Sequence, residues 1–337
     1  MKRALTAILT LALLLTACGE TTLPDDSEQQ PVNDPQQAAA PGVPDSCLLY
    51  YDLADAAVRA EDKELPLAQN AGDGYQTTYS VWYEGEYQDL ALQDGDSGIS
   101  AAAMTDGKAA FDYGAGLVVW NGERYHCAHL TAQDSYIPNI SPNEPGGILL
   151  LDLEGECWAD GGVDDVACFT GFSTVVICGS GTLRIDGAGI GAEGDNLPYL
   201  PGLILDGVSL SSGGVSLDGR PCDSGTPALF VRSGSLTADT LILAGDLCIA
   251  GGSVKTQYID GVPNAVFRGG TFETEQWGDT VVPALILSGG DATCTGWLPQ
   301  GTSIEIGAGT MTANGIRYWD TVHVYDGGKI VDLMDET

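Results

Sequence analysis

The sequence predicts an all-β chain. Its larger part, residues 146–337, reads as a right-handed parallel β-helix of about 19 residues per rung, preceded by a small β-rich domain or cap over residues 47–145. Three observations lead there. A phrase of small residue, glycine or small residue, polar residue and apolar residue recurs eight times from Ser180 to Ile330. Its fourth residue is apolar every time. Ahead of the repeats, aromatic residues alternate with others, and an Asn-Gly pair splits two strand-like runs.

Lys2 and Arg3 precede an apolar run from Ala4 to Ala17, which has the charge and length of an export signal and is too short for a membrane span. The run ends Leu15-Thr16-Ala17-Cys18. This resembles the lipobox of bacterial lipoproteins, an aliphatic residue and two small residues before a cysteine. The resemblance implies that residues 1–18 are a lipoprotein signal segment and that Cys18 becomes the acylated N-terminal residue. The chemistry agrees, since small residues fit a peptidase site and a thiol is the nucleophile that accepts a diacylglycerol group. A plain signal peptide carrying a chance cysteine is the alternative. Two or more acyl chains anchor stably where one does not, so the expected place is the extracytoplasmic side of a membrane, surface exposed.

Residues 19–46 hold five prolines, six carboxylates, four glutamines and no base. Such a stretch cannot bury enough apolar surface to order itself, and it reads as a disordered acidic tether. Its reach is roughly 30 Å as a coil and up to about 85 Å when extended.

The whole chain has 13 basic and 47 acidic residues, a net charge of −34. Removing Lys2 and Arg3 leaves 11 against 47, or −36. That field repels phosphate backbones and anionic lipid head groups, which excludes nucleic acid as a partner. Cations, neutral glycans and cationic proteins remain. Three histidines and no Cys-x-x-Cys set metal-hydrolase, zinc-finger and iron–sulfur chemistry aside.

Residues 47–145 contain 9 of the 13 tyrosines. Tyr75, Thr77, Tyr79, Val81 and Tyr83 alternate with Gln76, Thr78, Ser80, Trp82 and Glu84, a strand period. Leu117 to Trp120, Asn121-Gly122 and Glu123 to Leu130 read as a hairpin, because Asn-Gly supplies the two positive φ angles of a type I′ turn. His126 and His129 are three apart on its second strand, so they face opposite ways and do not form a metal pair.

The repeats begin at Ser180, Ser212, Ser233, Gly251, Gly269, Gly289, Ala308 and Gly327, separated by 32, 21, 18, 18, 20, 19 and 19 residues. The fourth positions, Leu183, Val215, Leu236, Val254, Phe272, Ala292, Met311 and Ile330, form an inward column. Two and four residues before each phrase lie further apolar columns, among them Val208 and Leu210, Leu229 and Val231, and Leu247 and Ile249. Two short strands per repeat therefore meet at a glycine corner, and stacking them gives parallel sheets around a filled core. Parallel crossovers make the coil right-handed. A β-sandwich is the alternative, although it needs no phrase every 19 residues.

Gly147 to Leu153, Ile177 to Ile185, Leu203 to Val208 and Ser233 to Leu243 resemble the repeats of pectate-lyase-like β-helix segments in bacterial surface proteins, including lipoproteins described as carbohydrate-binding. The resemblance covers residues 146–337 and implies an envelope setting.

Lyase chemistry of that kind needs carboxylates holding calcium and an Arg or Lys base. Arg184 with Asp186, Lys255, and Arg268 with Glu273 are the raw material. Arg184, Lys255 and Glu273 align in one outward column with Ser216, Thr237, Thr293 and Thr312, the ordinary exterior of a strand. Asp160, Asp164 and Asp165, around Gly161-Gly162, are the candidate calcium ligands, with a solvated turn as the alternative. Trp277 and Trp297 fall in a column with Leu241, Ile259 and Ile316, which makes them an interior stack rather than a sugar ladder. Trp158, Tyr199, Tyr258, Tyr318 and Trp319 lie nearer turns and are the candidate carbohydrate contacts, since aromatic faces stack on pyranose C–H faces. Of the eight cysteines other than Cys18, most are expected to be buried and unpaired, with one or two bridges in residues 47–168 left open. Cys178 is assigned to an inward column with Leu210, Val231 and Ile249.

The expected function is a membrane-anchored, non-catalytic carbohydrate-binding or adhesion module. Its partners are the membrane through the lipid anchor, and glycans or host or envelope surface components. A polysaccharide lyase and a structural envelope spacer are the alternatives. Replacing Cys18 with Ser should abolish incorporation of radiolabelled fatty acid. Equal labelling of both proteins rules the anchor out.

Overall fold

Short runs of Val, Ile, Leu, Ser and Thr bounded by glycine favour strands and leave almost no room for helix. The computed structural model describes residues 58–59, 76–83, 86–93, 99–100, 110–120, 123–137, 139–142, 146–160, 167–193, 200–218 and 227–334. Residues 1–57, and with them Cys18 and the tether, lie outside these, as do Asp164, Asp165 and Tyr199. All described residues belong to one unit, Ala38–Thr337.

Seven strands precede the repeats: β1 (Val58–Arg59), β2 (Gln76–Tyr83), β3 (Glu86–Gln93), β4 (Ile99–Ser100), β5 (Ala110–Trp120), β6 (Glu123–Gln133) and β7 (Asn139–Pro142). The repeats then alternate between two sheets. One takes β8 (Ile148–Glu154), β10 (Thr174–Gly179), β13 (Leu203–Asp206), β15 (Pro227–Val231), β17 (Asp246–Ile249), β19 (Asn264–Phe267), β21 (Val282–Leu287), β23 (Gly301–Ile306) and β25 (Thr321–Val324). The other takes β9 (Glu156–Asp160), β11 (Thr182–Asp186), β14 (Ser209–Asp218), β16 (Ser235–Leu243), β18 (Ser253–Asp260), β20 (Thr271–Trp277), β22 (Asp291–Trp297), β24 (Gly309–Asn314) and β26 (Gly328–Asp332), with β12 (Ile190–Glu193) beside β14. Within each of these two series the neighbours pair in parallel, from β8 to β25 and from β9 to β26. The molecule is a parallel β-helix.

The predicted strand of alternating aromatics is β2, which pairs antiparallel with β3 and β7 in a separate three-stranded sheet. The predicted hairpin is β5–β6, closed with Trp120 opposite Glu123 and in unbroken register to Ala110 and Gln133. β6 also runs parallel beside β8, so the hairpin extends the first sheet of the solenoid. Val118, Trp120 and Cys127 of the hairpin pack with Leu150, Val176, Ile204 and Phe230 on the outer face of that sheet, and the Trp120 and Phe230 rings meet edge to face at 5.6 Å.

The ladder corrects the spacing of the early rungs. Leu183 stands beside Leu210 and Leu210 beside Leu236, steps of 27 and 26 residues. From Leu236 onward the steps are 18, 18, 20, 19 and 19, through Val254, Phe272, Ala292, Met311 and Ile330. The Ser212-Gly-Gly-Val215 phrase is not a corner. Val215 lies later in β14 and pairs with Ile190 and Leu241. The corner of that rung is Gly207-Val-Ser-Leu210, and the columns expected at Val208 and Leu210 belong to Leu203 and Leu205, which align with Leu229 and Val231.

Cys178 is likewise on the other face. The inward column is Ile177, Leu205, Val231, Ile249 and Phe267. Six residues separate Ile177 from Leu183, but five separate Leu205 from Leu210, so one extra corner residue reverses the strand parity. Cys178 sits outward between Asp152 and Asp206, in the cluster under the hairpin.

Val254 is 1% exposed and stacks between Leu236 and Phe272. Replacing it with Asp buries an uncompensated carboxylate and should cost on the order of 3–5 kcal/mol. The control Thr237→Asp lies on the exterior beside Lys255 and should change stability by about 0.5 kcal/mol or less. Denaturant midpoints compare the two, and equal midpoints rule out this register.

Candidate functional site

The second sheet is bent. At the bend, an inward polar side chain reaches the carbonyl oxygen two residues ahead in its own strand. Ser212 Oγ donates to Gly214 (2.7 Å), Thr256 Oγ1 to Tyr258 (2.9 Å) and Thr274 Oγ1 to Gln276 (3.0 Å), and Cys294 Sγ contacts Gly296 at 3.6 Å. Buried hydroxyls need a partner, and here each finds one by curving the chain. Outside the bend, Gly214, Thr240, Tyr258 and Gln276 stand side by side on successive rungs. A shallow, open depression of about 460 Å³ lies at the first of these, lined by Ala188, Gly213, Gly214, Asp239 and Thr240 among others.

Tyr258 is half-buried at this bend. Its hydroxyl donates to Asp260 Oδ2 (3.1 Å), while Asp260 Oδ1 accepts from Thr280 Oγ1 (2.6 Å) and the Gly261 N–H (2.8 Å). Burial would raise the Asp260 carboxyl, but the hydrogen bonds from Thr280, Gly261 and Tyr258 outweigh it and hold the group below its ordinary range. Burial, and then the hydrogen bond to Asp260 and the charge of that carboxylate, push the Tyr258 phenol up. The hydrogen bond to Asp260 thus tethers the polar end of the half-buried ring.

Two rungs further on, a bulge between Cys294 and Trp297 resets the register, so that Trp297 pairs with Asn314. Leu298, 6% exposed, takes up the interior packing. Trp277 is interior as expected, but Trp297 is not: it is 53% exposed. A 3₁₀ turn at Ile316–Tyr318 follows from Gly315, whose φ of +84° is open to glycine and where a Cβ would stand 2.8 Å from the Trp297 ring. Tyr318, also 53% exposed, lies with its ring centroid 5.8 Å from that of Trp297. Together they form an outward aromatic pair, with Asn314 bound through its amide to the Thr295 carbonyl.

The other candidate aromatics separate. Trp319 is 6% exposed and part of the core, so it is corrected from surface contact to packing residue; the same turn that exposes Tyr318 turns its neighbour inward. Trp158 is 43% exposed, but it stands at the far end of the sheet beside Tyr136 and Arg184.

The outward column carrying Arg184, Thr237, Lys255, Glu273, Thr293 and Thr312 holds Ser211, not Ser216. Its bases are ion-paired on the surface: Lys255 Nζ with Glu273 Oε2 at 3.1 Å, and Arg184 Nε with Asp186 Oδ1 at 2.9 Å. Asp160 closes β9 and pairs with Asp186. Among the described residues no three His, Cys, Asp or Glu side chains gather to hold a metal.

Cys127, Cys157, Cys168, Cys178, Cys248 and Cys294 are buried. Burial raises the Cys157 thiol and pushes Cys294 to about 11; at Cys178 the Asp152 and Asp206 charges add to the same effect. Thiolate chemistry at these three positions is therefore suppressed near neutral pH.

Comparison with protein-family models, curated proteins and solved structures finds no match for this chain.

Asp246 is the buried carboxylate of the first sheet, 2% exposed, with Oδ1 accepting from Asn264 Nδ2 (2.8 Å) and Oδ2 unpartnered. Burial raises it to about 6, against hydrogen bonds from Asn264 that lower it. A raised folded pKa means that the group's favourable contribution is full below about pH 4 and is lost as pH rises through about 6. Asp246→Asn should therefore stabilise the fold at pH 7.5 by no more than ~3 kcal/mol, with the gain vanishing at pH 4. Melting temperatures at the two pH values check this, and a loss of stability at pH 7.5 contradicts it.

Proposed function

We propose that this chain is a non-catalytic carbohydrate-binding module, held to the outside of a membrane by lipid on Cys18. The observation that carries the proposal is the Trp297–Tyr318 pair, two aromatic rings half-exposed at 5.8 Å on a rigid β-helix edge. Exposed aromatic faces are surfaces on which the C–H face of a pyranose can stack. Support comes also from Asn314, Asp320 and Gln300 near the pair in sequence, amide and carboxylate groups that suit sugar hydroxyls. The rings sit on strand ends and a tight turn, so little conformational entropy is lost on binding.

The net charge of −34 agrees with a neutral ligand and argues against polyanions. Arg184 and Lys255, two of the basic groups on the second sheet's exterior, are each engaged by a carboxylate, which favours binding over proton abstraction there. The lipid anchor and the acidic tether would hold the module off the membrane surface.

The test is retention and product formation on a panel of immobilised neutral glycans and uronans, with and without calcium, using full-length protein in detergent. Retention without product, lost in Trp297→Ala, is the expected result. Unsaturated product abolished by chelator would instead make the protein a lyase. Neither retention nor product leaves the spacer.

A further inference from the structure

Building on the carbohydrate-binding proposal, we infer that the ligand is a linear, uncharged glycan lying along the solenoid axis, in contact with Tyr258 and with the Trp297–Tyr318 pair at once. The two aromatic positions are not independent patches. Thr240, Tyr258 and Gln276 stand in direct lateral register on the outer bend of the second sheet. Gly296 lies against the Glu275–Gln276 backbone of the preceding rung, where a Cβ would meet the Glu275 carbonyl oxygen and stand 3.5 Å from Gln276 Cα, and Trp297 follows it in the chain. Gly315 then packs against the Trp297 ring, and Tyr318 completes the row. Neighbouring strands are about 4.8 Å apart, so the row from Tyr258 to Tyr318 runs about 10–15 Å along the axis, the reach of about three or four extended pyranoses.

On the intervening rung Gln276 is exposed, Gly296 beyond it carries no side chain, and Thr280 stands at the polar end of Tyr258 through its hydrogen bond to Asp260. Beyond Tyr258 the row leads past Thr240 to the shallow depression lined by Gly213 and Gly214. The shape is a track along the stacking direction, with aromatic supports at one end and small residues at the other.

Charge selects the ligand. Residues 239–242, 257–261, 275–280, 295–300 and 314–320, which build the track, contain five carboxylates (Asp239, Asp260, Glu275, Asp279 and Asp320) and one base, Arg317. Carboxylates accept hydrogen bonds from sugar hydroxyls and repel uronates, so a neutral chain fits and an acidic chain does not. Asp260 is already held by four donors and serves to fix Tyr258, leaving the exposed Asp239, Glu275, Asp279 and Asp320 as the acceptors.

The experiment is calorimetric titration of the full-length protein in detergent with linear gluco-, xylo- and manno-oligosaccharides of one to six residues, and with oligogalacturonates of the same lengths. Affinity for a neutral series should climb at least tenfold from the disaccharide to the tetrasaccharide and level off by the hexasaccharide. Tyr258→Ala should weaken the tetrasaccharide about fivefold while leaving the disaccharide unchanged, and Tyr258→Phe should retain wild-type binding. Trp297→Ala should weaken both lengths. Melting curves identify any variant that fails to fold, and Tyr258→Phe keeps the ring if Tyr258→Ala does fail. Neutral binding without length dependence, or without an effect of Tyr258→Ala in a folded variant, overturns the axial path but leaves carbohydrate binding standing. Oligogalacturonate binding of equal strength overturns the charge selection alone. No binding in either series overturns both this inference and the function it rests on.

Discussion

A carbonyl oxygen of one rung occupies the place where the next rung's corner residue would carry its Cβ. At Gly270 that oxygen belongs to Gly252, and at Gly309 it belongs to Gly290. Both corners have positive φ, +73° and +87°, so glycine answers two demands there, a left-handed turn and a backbone in contact with backbone. Because the corners cannot spread, the rungs stack at strand spacing and every residue of one rung is placed beside its counterpart in the next. The inward ladder of Leu236, Val254, Phe272, Ala292 and Met311 follows from this, and so does the outward alignment of Thr240, Tyr258 and Gln276.

The bend of the second sheet connects packing to the site. An inward Ser or Thr is costly in an apolar stack unless its hydroxyl is bonded, and Ser212, Thr256 and Thr274 meet that cost by donating to the carbonyl two residues ahead, where the strand curves. Where the row reaches Cys294, the thiol makes a longer contact at 3.6 Å and the register breaks into a bulge. Trp297 emerges at that break. The exposed ring is thus a consequence of where regular stacking gives way, next to rungs that keep it rigid.

Charge is distributed unevenly over this scaffold. Arg184, Arg232 and Lys255 are each paired with a carboxylate, and Arg232 together with Ser233 ties Asp206 across neighbouring rungs at 3.0 and 2.8 Å. Basic groups that serve as struts do not offset the acidic field at the bend. The same field bears on Cys178, which sits between Asp152 and Asp206, and burial and charge act together there to keep the thiol protonated.

The sequence by itself determined the all-β class, the solenoid, the corner glycines and the inward column from Leu236 to Ile330, because these depend on a short phrase repeated at nearly constant spacing. It also determined the β5–β6 hairpin, whose Asn-Gly turn is a local signal. The early register was not legible there, because small-residue tetrads serve both corners and bends: Ser212-Gly-Gly-Val215 matches the corner phrase but bends a strand instead. Strand faces were not legible either wherever one residue is added or lost. An extra corner residue turned Cys178 outward, a bulge did the same to Trp297, and a 3₁₀ turn sent Trp319 inward while leaving Tyr318 in solvent. A period of two carries no memory across such an insertion. Only the tertiary structure decided those faces, because the choice is made by which side chain fills the space above the preceding rung.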